Sequence, residues 1–200
     1  MRFIVGITGA SGVIYAEHLL KELLSDNHEI KLLITDAARD VLAHELNLKL
    51  KGNLREVQKQ LKGWMELDYT DERLEYIELS NLNASICSGS YKAEGMIIVP
   101  CSMATLAAVS AGISSNLLER AADVTLKERR PLVMVPRETP LNEMHLRNML
   151  ALHRAGAIIV PAMPGFYHRP KDINDLVSFV VGRILDVLNL EHKLYKRWDT

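Results

Sequence analysis

One stretch near the start of the chain, residues 3–12, constrains the fold more than any other. Its first five residues read Phe-Ile-Val-Gly-Ile and predict a buried strand, while residues 13–24 carry apolar side chains at helical spacing. Residues 8–12 must then form a tight turn of small residues between that strand and helix. Such a turn points backbone N–H groups and the positive end of the helix dipole at an anion. We therefore expect a phosphate group here, beside the hydroxyl of Ser11.

The glycine spacing in this turn differs from that of the dinucleotide fingerprint. Gly6, Gly9 and Gly12 lie three residues apart, whereas the fingerprint is G-x-G-x-x-G. A mononucleotide is therefore as acceptable a ligand as a dinucleotide. Glycine and serine residues that only cap a helix and bend the chain would give the same pattern.

Composition limits the class of protein. The 200 residues, 48% hydrophobic and 24% charged, fit one globular domain over residues 1–200. A formal net charge of −1 gives no field that would hold nucleic acid or an anionic membrane surface. The sequence shows no signal-peptide pattern and no long apolar run, which predicts a soluble cytoplasmic protein. Two cysteines and seven histidines without metal-ligand spacing give no reason to expect a metal or a disulfide framework.

Apolar strands alternate with helices along the rest of the chain. We predict further strands at residues 29–35, 74–79, 95–100, 131–136 and 157–161, and further helices at 36–46, 54–64, 101–112, 116–128, 141–155 and 172–190. Residues 81–90 are small and polar, which is typical of a loop. Strands that are apolar along their whole length indicate a mostly parallel sheet covered on both faces, a three-layer α/β sandwich.

Three of the predicted strands end in proline, at Pro100, Pro136 and Pro161. Proline cannot donate a hydrogen bond to the sheet, so it ends the strand and turns the chain outwards at the carboxyl edge. The loops that follow should therefore emerge at the same rim as the glycine turn and Thr35. In open α/β sheets this rim is where ligands bind.

Arg137 is the most informative polar residue at this rim. It follows a buried strand directly into the expected ligand crevice, where a guanidinium group would hold a phosphate through paired hydrogen bonds. Ser102 and Thr105 also stand there, and helix capping explains them as well as ligand contact does.

Three further cations lie on predicted helices. Arg120 and Lys127 are seven residues apart and share a helix face, which is either solvated, with pairs such as Asp123 with Lys127, or turned towards an anion. Arg183 interrupts an apolar run and would be unfavourable to bury alone. A structural salt bridge is the simplest explanation for Arg183.

Several blocks of the sequence resemble the UbiX-type flavin prenyltransferases. They are residues 8–12, 100–106, 116–132, 135–140 and 161–170. The resemblance runs from residue 3 to about residue 198 and is weakest between residues 48 and 76. It implies a single flavin-binding domain with a Rossmann-like or flavodoxin-like fold, assembled into homododecamers.

The chemistry that this resemblance implies joins the dimethylallyl group of dimethylallyl monophosphate to reduced FMN. Flavin N5 displaces the phosphate from the allylic carbon, and closure onto C6 builds a fourth ring. No metal is implied. The prenylated FMN would pass to a UbiD-type decarboxylase.

The resemblance also implies roles for individual residues. Those around FMN would be Gly9, Ala10, Ser11, Thr35, Ser102, Met103, Ala104, Thr105 and Arg137. Those around the substrate phosphate would be Arg120, Lys127, Arg137, Tyr167 and Arg183, with Arg120 and Lys127 supplied by a neighbouring subunit. Ser11, Glu45 and Glu138 would handle protons, and Trp198 would face the prenyl group. Thr35 stands where the family often has serine, which keeps the hydroxyl.

Other classes of protein share parts of this pattern. A nicotinamide-dependent short-chain dehydrogenase needs Tyr-x-x-x-Lys on one helix, and Tyr167 and Lys171 match those letters, although Gly165 and Pro170 predict a loop. A flavin-binding decarboxylase of peptidyl cysteines would need a histidine after the first turn, whereas His18 lies inside the first helix. A flavin carrier without catalytic activity would not need several cations around one pocket.

Overall fold

A computed structural model describes residues 1–197 and shows helices and strands alternating along them. The strands are β1 (Arg2–Ile7), β2 (Glu29–Ile34), β3 (Leu74–Tyr76), β4 (Gly95–Cys101), β5 (Leu132–Pro136) and β6 (Ile158–Ile159). The α-helices are α1 (Val13–Ser25), α2 (Asp36–Glu45), α3 (Leu54–Trp64), α4 (Met103–Ser110), α5 (Leu117–Lys127), α6 (Glu143–Ala155) and α7 (Ile173–Val187).

The six strands form one sheet in the order β3-β2-β1-β4-β5-β6, and every neighbouring pair is parallel. This confirms the predicted α/β sandwich and its parallel sheet, and the order is that of a Rossmann-like fold. The chain leaves β1 towards β2 and β3 and later returns to β4 on the other side of β1. The carboxyl ends of β1 and β4 therefore flank the topological switch point, where such sheets bind ligands.

Each face of the sheet carries its own apolar core. Phe3, Val5 and Ile7 of β1 point to the face that α1, α2, α3 and α7 cover. Ile4, between them, points to the face that α4, α5 and α6 cover. This alternation follows from the two-residue period of a strand. Each fully buried Leu, Ile or Phe contributes about 1.5–3 kcal/mol, which fixes the strand register that the rim depends on.

The element bounds differ from the prediction mainly at the edges of the sheet. β6 is an edge strand and keeps only Ile158–Ile159, and β3, at the other edge, ends at Tyr76. α7 ends at Val187 instead of residue 190, and Asn189, with φ of 56°, turns the chain back. Within residues 1–197, no helix combines the length and apolar character needed to cross a bilayer.

Two of the connections contain two helices each, and α2 and α4 are the ones that start at the rim. α2 follows β2 and runs beside the glycine turn, because Ala37 near its start lies against Gly9 and Glu45 at its end reaches Gly12. α4 follows β4 directly after Ser102. The rim is therefore built from the starts of α1, α2 and α4.

Candidate active site at the carboxyl edge of the sheet

Thr8 joins the two strands at the switch point. Its side chain is fully buried, and Oγ1 donates a hydrogen bond to the carbonyl oxygen of Pro100 at 2.8 Å. The same oxygen accepts the N–H of Ser102 at 2.7 Å. Thr8 thus ties the glycine turn to the start of α4. The sequence prediction did not include Thr8 as a site residue, since its partners lie more than ninety residues away and leave no local signal.

Each of the three glycines near the turn has its own structural reason. A Cβ atom at Gly9 would lie 2.5 Å from the Cβ of Ala37, and one at Gly6 would lie 2.9 Å from Cδ1 of Leu118. Gly12 has a φ of 104°, a left-handed conformation that favours glycine. The three-residue spacing therefore reflects close packing and backbone geometry. It leaves a turn with a bare backbone, which a flat ring or a phosphate can approach closely.

Glu45 occupies the N-terminus of α1. Its Oε2 accepts hydrogen bonds from the backbone N–H groups of Gly12 at 3.0 Å and Val13 at 3.2 Å. These are the first donors of the helix, which the sequence prediction left open for a phosphate. A carboxylate fits there because the N-terminus of a helix carries partial positive charge. An anion at these two N–H groups would have to displace Glu45.

Arg137 lies against the glycine turn, as the sequence prediction expected. Its Nε donates a hydrogen bond to the backbone oxygen of Ser11 at 3.0 Å. Burial raises the pKa of Tyr15 in α1, and the nearby positive charge of Arg137 partly offsets that rise. Glu138 follows Arg137 and accepts the N–H of Thr139 at 2.9 Å. The structure therefore brings Ser11, Arg137 and Glu138 to one side of the rim.

Two hydroxyl residues of the rim cap helices that begin there. Thr35 Oγ1 accepts the N–H of Ala38 at 3.2 Å and caps α2. Ser102 Oγ accepts the N–H of Thr105 at 3.2 Å and caps α4. Each cap stabilises its helix by about 0.5–2 kcal/mol. The capping interpretation is confirmed for Ser102, whereas the cap at Thr35 was not predicted. Both caps place their hydroxyls at the rim. Met103 and Ala104 form the first turn of α4.

A second group of predicted residues lies where the loop after β6 meets α7. The ring of Tyr167 packs edge-on against Phe179, with centroids 5.5 Å apart. Arg183 follows Phe179 by one helical turn. It lines a surface cavity of about 310 Å³ whose other walls are apolar, formed by Ile158, Ile159, Val160, Pro161, Met163, Phe179, Val180 and Val187. One cation beside an apolar cavity suits a ligand with a short alkyl chain and a phosphate.

Arg183 also forms the structural salt bridge that its sequence context suggested. Its Nη1 lies 2.9 Å from Oδ2 of Asp186. Burial by itself would raise the pKa of Asp186, but hydrogen bonds from Tyr195, Arg197 and His192 outweigh burial and lower the pKa to about 2. Asp186 is therefore a carboxylate at neutral pH. The sequence prediction overlooked it, and the only available signal was one acidic residue within an apolar helix.

The structure does not bring Lys127 to the rim of the same chain. Lys127 is the last residue of α5 and lies beside Gly89, near the amino end of β5, whereas Arg137 follows the carboxyl end of β5. The predicted pair of Asp123 with Lys127 is wrong. Asp123 accepts from Arg120 three residues earlier, at 3.2 Å, and Lys127 pairs with Glu128. The i,i+3 partner lies closer on the exposed face of this helix.

Two further expectations concern Trp198 and metals. Trp198 lies outside the described residues, so the structure says nothing about its place. Among residues 1–197, no group of three or more His, Cys, Asp or Glu side chains is arranged to hold a metal ion. Of the two cysteines, Cys101 is buried and Cys87 is half-buried, and neither forms a disulfide.

The strand order and the rim are those of a Rossmann-like domain, a class of protein that binds nucleotides or flavins at such a switch point. The model of the Flavoprotein family matches residues 1–185 of the chain. The flavin prenyltransferase UbiX of Alkalihalophilus pseudofirmus is 50% identical over 194 residues, which cover 97% of this chain and 94% of that protein. The chain therefore belongs to the Flavoprotein family and, within it, to the UbiX-type flavin prenyltransferases.

Solved structures of similar proteins agree with this assignment. The crystal structure of AnUbiX in complex with FMN and dimethylallyl pyrophosphate has a TM-score of 0.86 and 39% identity, and covers 100% of this chain and 97% of that chain. A dodecameric, FMN-dependent UbiX-like decarboxylase from Escherichia coli O157:H7 has a TM-score of 0.85 and 41% identity, with 100% of both chains covered.

Proposed function

We propose that this protein is a flavin prenyltransferase that joins the dimethylallyl group of a dimethylallyl phosphate to N5 and C6 of reduced FMN. The observation that carries the proposal is the similarity along the whole chain to proteins named flavin prenyltransferase UbiX. The apolar cavity beside Arg183 supports it, because an allylic phosphate combines a short apolar chain with a charged group. Reduced FMN supplies the nucleophilic nitrogen, and inorganic phosphate is the leaving group.

The rim around the switch point fits FMN. Gly9 keeps the turn free of side chains, since even one Cβ atom would meet Ala37. The helix starts at Thr35 and Ser102 offer hydroxyls and backbone N–H groups, and Arg137 adds a positive charge near Ser11. We assign FMN binding to the residues expected from the sequence, namely Gly9, Ala10, Ser11, Thr35, Ser102, Met103, Ala104, Thr105 and Arg137.

Tyr167 and Arg183 would bind the phosphate and stabilise its charge as it leaves. The bond between the allylic carbon and the phosphate oxygen breaks as the carbon–N5 bond forms, so negative charge grows on the phosphate. A guanidinium and a phenol held in place stabilise that charge more than they stabilise the intact substrate. Among residues 1–197 the hydrogen bonds of Arg183 use only Nη1, which leaves Nε and Nη2 for phosphate oxygens.

Ser11, Glu45 and Glu138 would handle the protons of the reaction. Alkylation releases the proton of N5, and ring closure adds a proton to the alkene of the prenyl group while C6 loses its own. A carboxylate or a relay through Ser11 must therefore both accept and donate a proton. Glu45 reaches the turn through Gly12, and Glu138 follows Arg137. Trp198 would place its aromatic face against positive charge that develops on the allylic group.

A homododecamer would complete the site. In one chain Lys127 lies near the amino end of β5, whereas Arg137 follows the carboxyl end. Lys127 would therefore reach the phosphate only from a neighbouring subunit, and we assign Arg120 to the same neighbour. The segment that contains Tyr167 also carries exposed apolar side chains, since Met163 is 65%, Phe166 68% and Ile173 70% exposed. Such a patch is typical of an interface. An assembly of about 270 kDa, twelve times the 22.5 kDa of the chain, is the expected mass in solution.

We further propose that the prenylated FMN passes to a UbiD-type decarboxylase. A decarboxylase activity of this chain itself is the second candidate, because the Escherichia coli relative is described as one. The dehydrogenase alternative finds no support in the described fold. Tyr167 and Lys171 lie in the loop before α7, so the two side chains do not share a helix.

Phosphate release tests the proposal and separates it from the second candidate. We expect inorganic phosphate to appear when the protein is incubated anaerobically with dimethylallyl monophosphate and reduced FMN, and not with oxidised FMN. The matched control omits the flavin. Release of CO2 from added aromatic or unsaturated acids, without flavin-dependent phosphate release, would favour the decarboxylase.

A further inference from the structure

Asp186 connects Arg183 to the segment that follows α7. Its carboxylate accepts hydrogen bonds from four side chains, which belong to Arg183, His192, Tyr195 and Arg197. Only 13% of the Asp186 side chain is exposed, whereas 49% of the Arg183 side chain is. The buried partner is therefore the acid, and the exposed partner is the cation that lines the apolar cavity.

Tyr195 touches both members of this pair. Its hydroxyl donates to Oδ2 of Asp186 at 2.5 Å and lies 3.5 Å from Nη1 of Arg183. Its ring packs on Phe179, with centroids 5.0 Å apart, and Phe179 in turn supports Tyr167. One continuous cluster thus supports both residues assigned to the phosphate.

The segment after α7 folds back over the helix to make this cluster. A Cβ atom at Gly182 would lie 2.6 Å from Cε1 of Tyr195 and 2.7 Å from Cε1 of His192. Glycine at this position lets the segment lie directly against the helix, one residue before Arg183. His192 Nε2 donates to Oδ1 of Asp186 at 3.0 Å, so the return of the chain and the orientation of Arg183 depend on the same carboxylate.

We propose that Asp186, assisted by Tyr195, is a positioning residue that holds the guanidinium of Arg183 towards the phosphate of the prenyl donor. The proposal rests on the proposed function. Asp186 and Tyr195 engage Nη1, and among residues 1–197 no hydrogen bond occupies Nε or Nη2 of Arg183. An exposed arginine without such a restraint samples many rotamers, and ordering it on binding reduces affinity.

A double-mutant cycle tests this proposal. Asp186→Asn keeps the size of the side chain and removes the charge that holds Arg183. We expect kcat/KM for dimethylallyl monophosphate to fall on the order of 10- to 100-fold, since small misplacements of a positioning group have effects of this size. The affinity for FMN should stay within about twofold. In an Arg183→Ala background, Asp186→Asn should cause little further loss, because the residue through which it acts is gone.

Two further variants make the outcome decisive. Tyr195→Phe removes only the hydroxyl that meets Asp186 and Arg183 and keeps the ring on Phe179, so it decides the question if Asp186→Asn does not fold. We expect it to lower kcat/KM for the prenyl donor, again without loss of FMN. Glu143→Gln is the control, since Glu143 pairs with Arg147 on an exposed face of α6.

Each outcome of these experiments either supports or overturns the positioning role of Asp186. Equal losses from Asp186→Asn with and without Arg183, or a matching loss of FMN affinity, would mean that the acid only stabilises the fold and would overturn the proposal. Unchanged kcat/KM in both Asp186→Asn and Tyr195→Phe would also overturn it. If the unmodified protein forms no prenylated flavin, the proposed function fails instead, and that result is visible before any variant is made.

Discussion

Glu45 Oε2 accepts the backbone N–H of Gly12 at 3.0 Å and so places the last residue of α2 on the first turn of α1. The contact joins two helices that start at the rim, and it puts a carboxylate beside the backbone of Ser11. Gly12, which donates this hydrogen bond, has a left-handed φ of 104°, a conformation that favours glycine. Glu45, which we assign to proton handling, therefore also caps the N-terminus of α1 at the proposed flavin site.

The first prediction concerns this carboxylate. Glu45→Gln should lower the free energy of unfolding by about 0.3–1 kcal/mol, because the negative charge at the helix N-terminus is lost. It should also slow phosphate release while FMN remains bound. Urea unfolding and the phosphate assay measure the two effects, and Glu17→Gln, which alters an i,i+4 pair with Lys21 on α1, is the control. Wild-type turnover in Glu45→Gln would contradict the proton-handling role.

The glycine turn gives a second prediction. In Gly9→Ala the new Cβ would meet that of Ala37 at 2.5 Å, so α2 must move. We expect a loss of about 1–3 kcal/mol of stability from overpacking, with weaker FMN binding. Gly63→Ala is the matched control: nothing lies within 4 Å of its Cβ position in α3, and it should stabilise the protein by about 0.4–1 kcal/mol. Undiminished FMN affinity in Gly9→Ala would argue against the turn as a flavin site.

The phosphate site gives a third prediction. Arg183→Ala and Tyr167→Phe should raise KM for the prenyl donor or lower kcat by about 10²-fold or more, because each removes a group that faces the leaving phosphate. FMN binding, followed by the absorbance of the purified protein, should be unchanged. Arg147→Ala, on exposed α6, serves as the control. Loss of flavin from both site variants would move these residues from the phosphate to the flavin.

The cysteines give a fourth prediction. Cys101 is fully buried at the end of β4, and burial raises its pKa well above that of a free thiol. Because the thiolate is the reactive form, a Cys87→Ser variant should show no reaction with a thiol reagent until it is unfolded. Cys101→Ser leaves the half-buried Cys87 for comparison. Rapid labelling of native Cys87→Ser would mean that the β4 end opens to solvent.

Asp186 gives a fifth prediction, about pH. Its pKa falls from 3.8 to about 2 in the folded protein, so the ionised form stabilises the fold. This contribution, about 1 kcal/mol once solvent screening is allowed for, is complete above about pH 5 and disappears as the pH falls towards 2. The stability difference between the wild type and Asp186→Asn should therefore shrink between pH 7 and pH 3. A difference that grows on acidification would contradict the assignment.

Local sequence patterns were sufficient for the fold but not for every contact at the site. The apolar run of β1, the glycines after it and the proline at the end of β4 each indicate their structure within a few residues. The length of an edge strand depends on having one neighbour, which is why β6 is shorter than its apolar sequence suggests. α7 ends before residue 190 because the chain folds back over Gly182. The apolar spacing of the helix gives no sign of this tertiary contact.

The site contacts that were missed join residues far apart in the sequence. Thr8 with Pro100, and Glu45 with Gly12, meet only after the sheet has formed. The resemblance groups Lys127 with the phosphate residues, but in the fold Lys127 lies near the amino end of β5 and Arg137 follows its carboxyl end. A single chain gives no local signal for a partner that another subunit would supply.

The most direct test of the central proposal is the mass of the flavin after reaction. The protein is incubated anaerobically with reduced FMN and dimethylallyl monophosphate, without added metal, and the released flavin is analysed by mass spectrometry. We predict a product heavier than FMN by one C5H8 unit, formed by the wild type and strongly reduced in Arg183→Ala. Bound but unchanged FMN, with the prenyl phosphate intact, would contradict the proposed prenyltransferase.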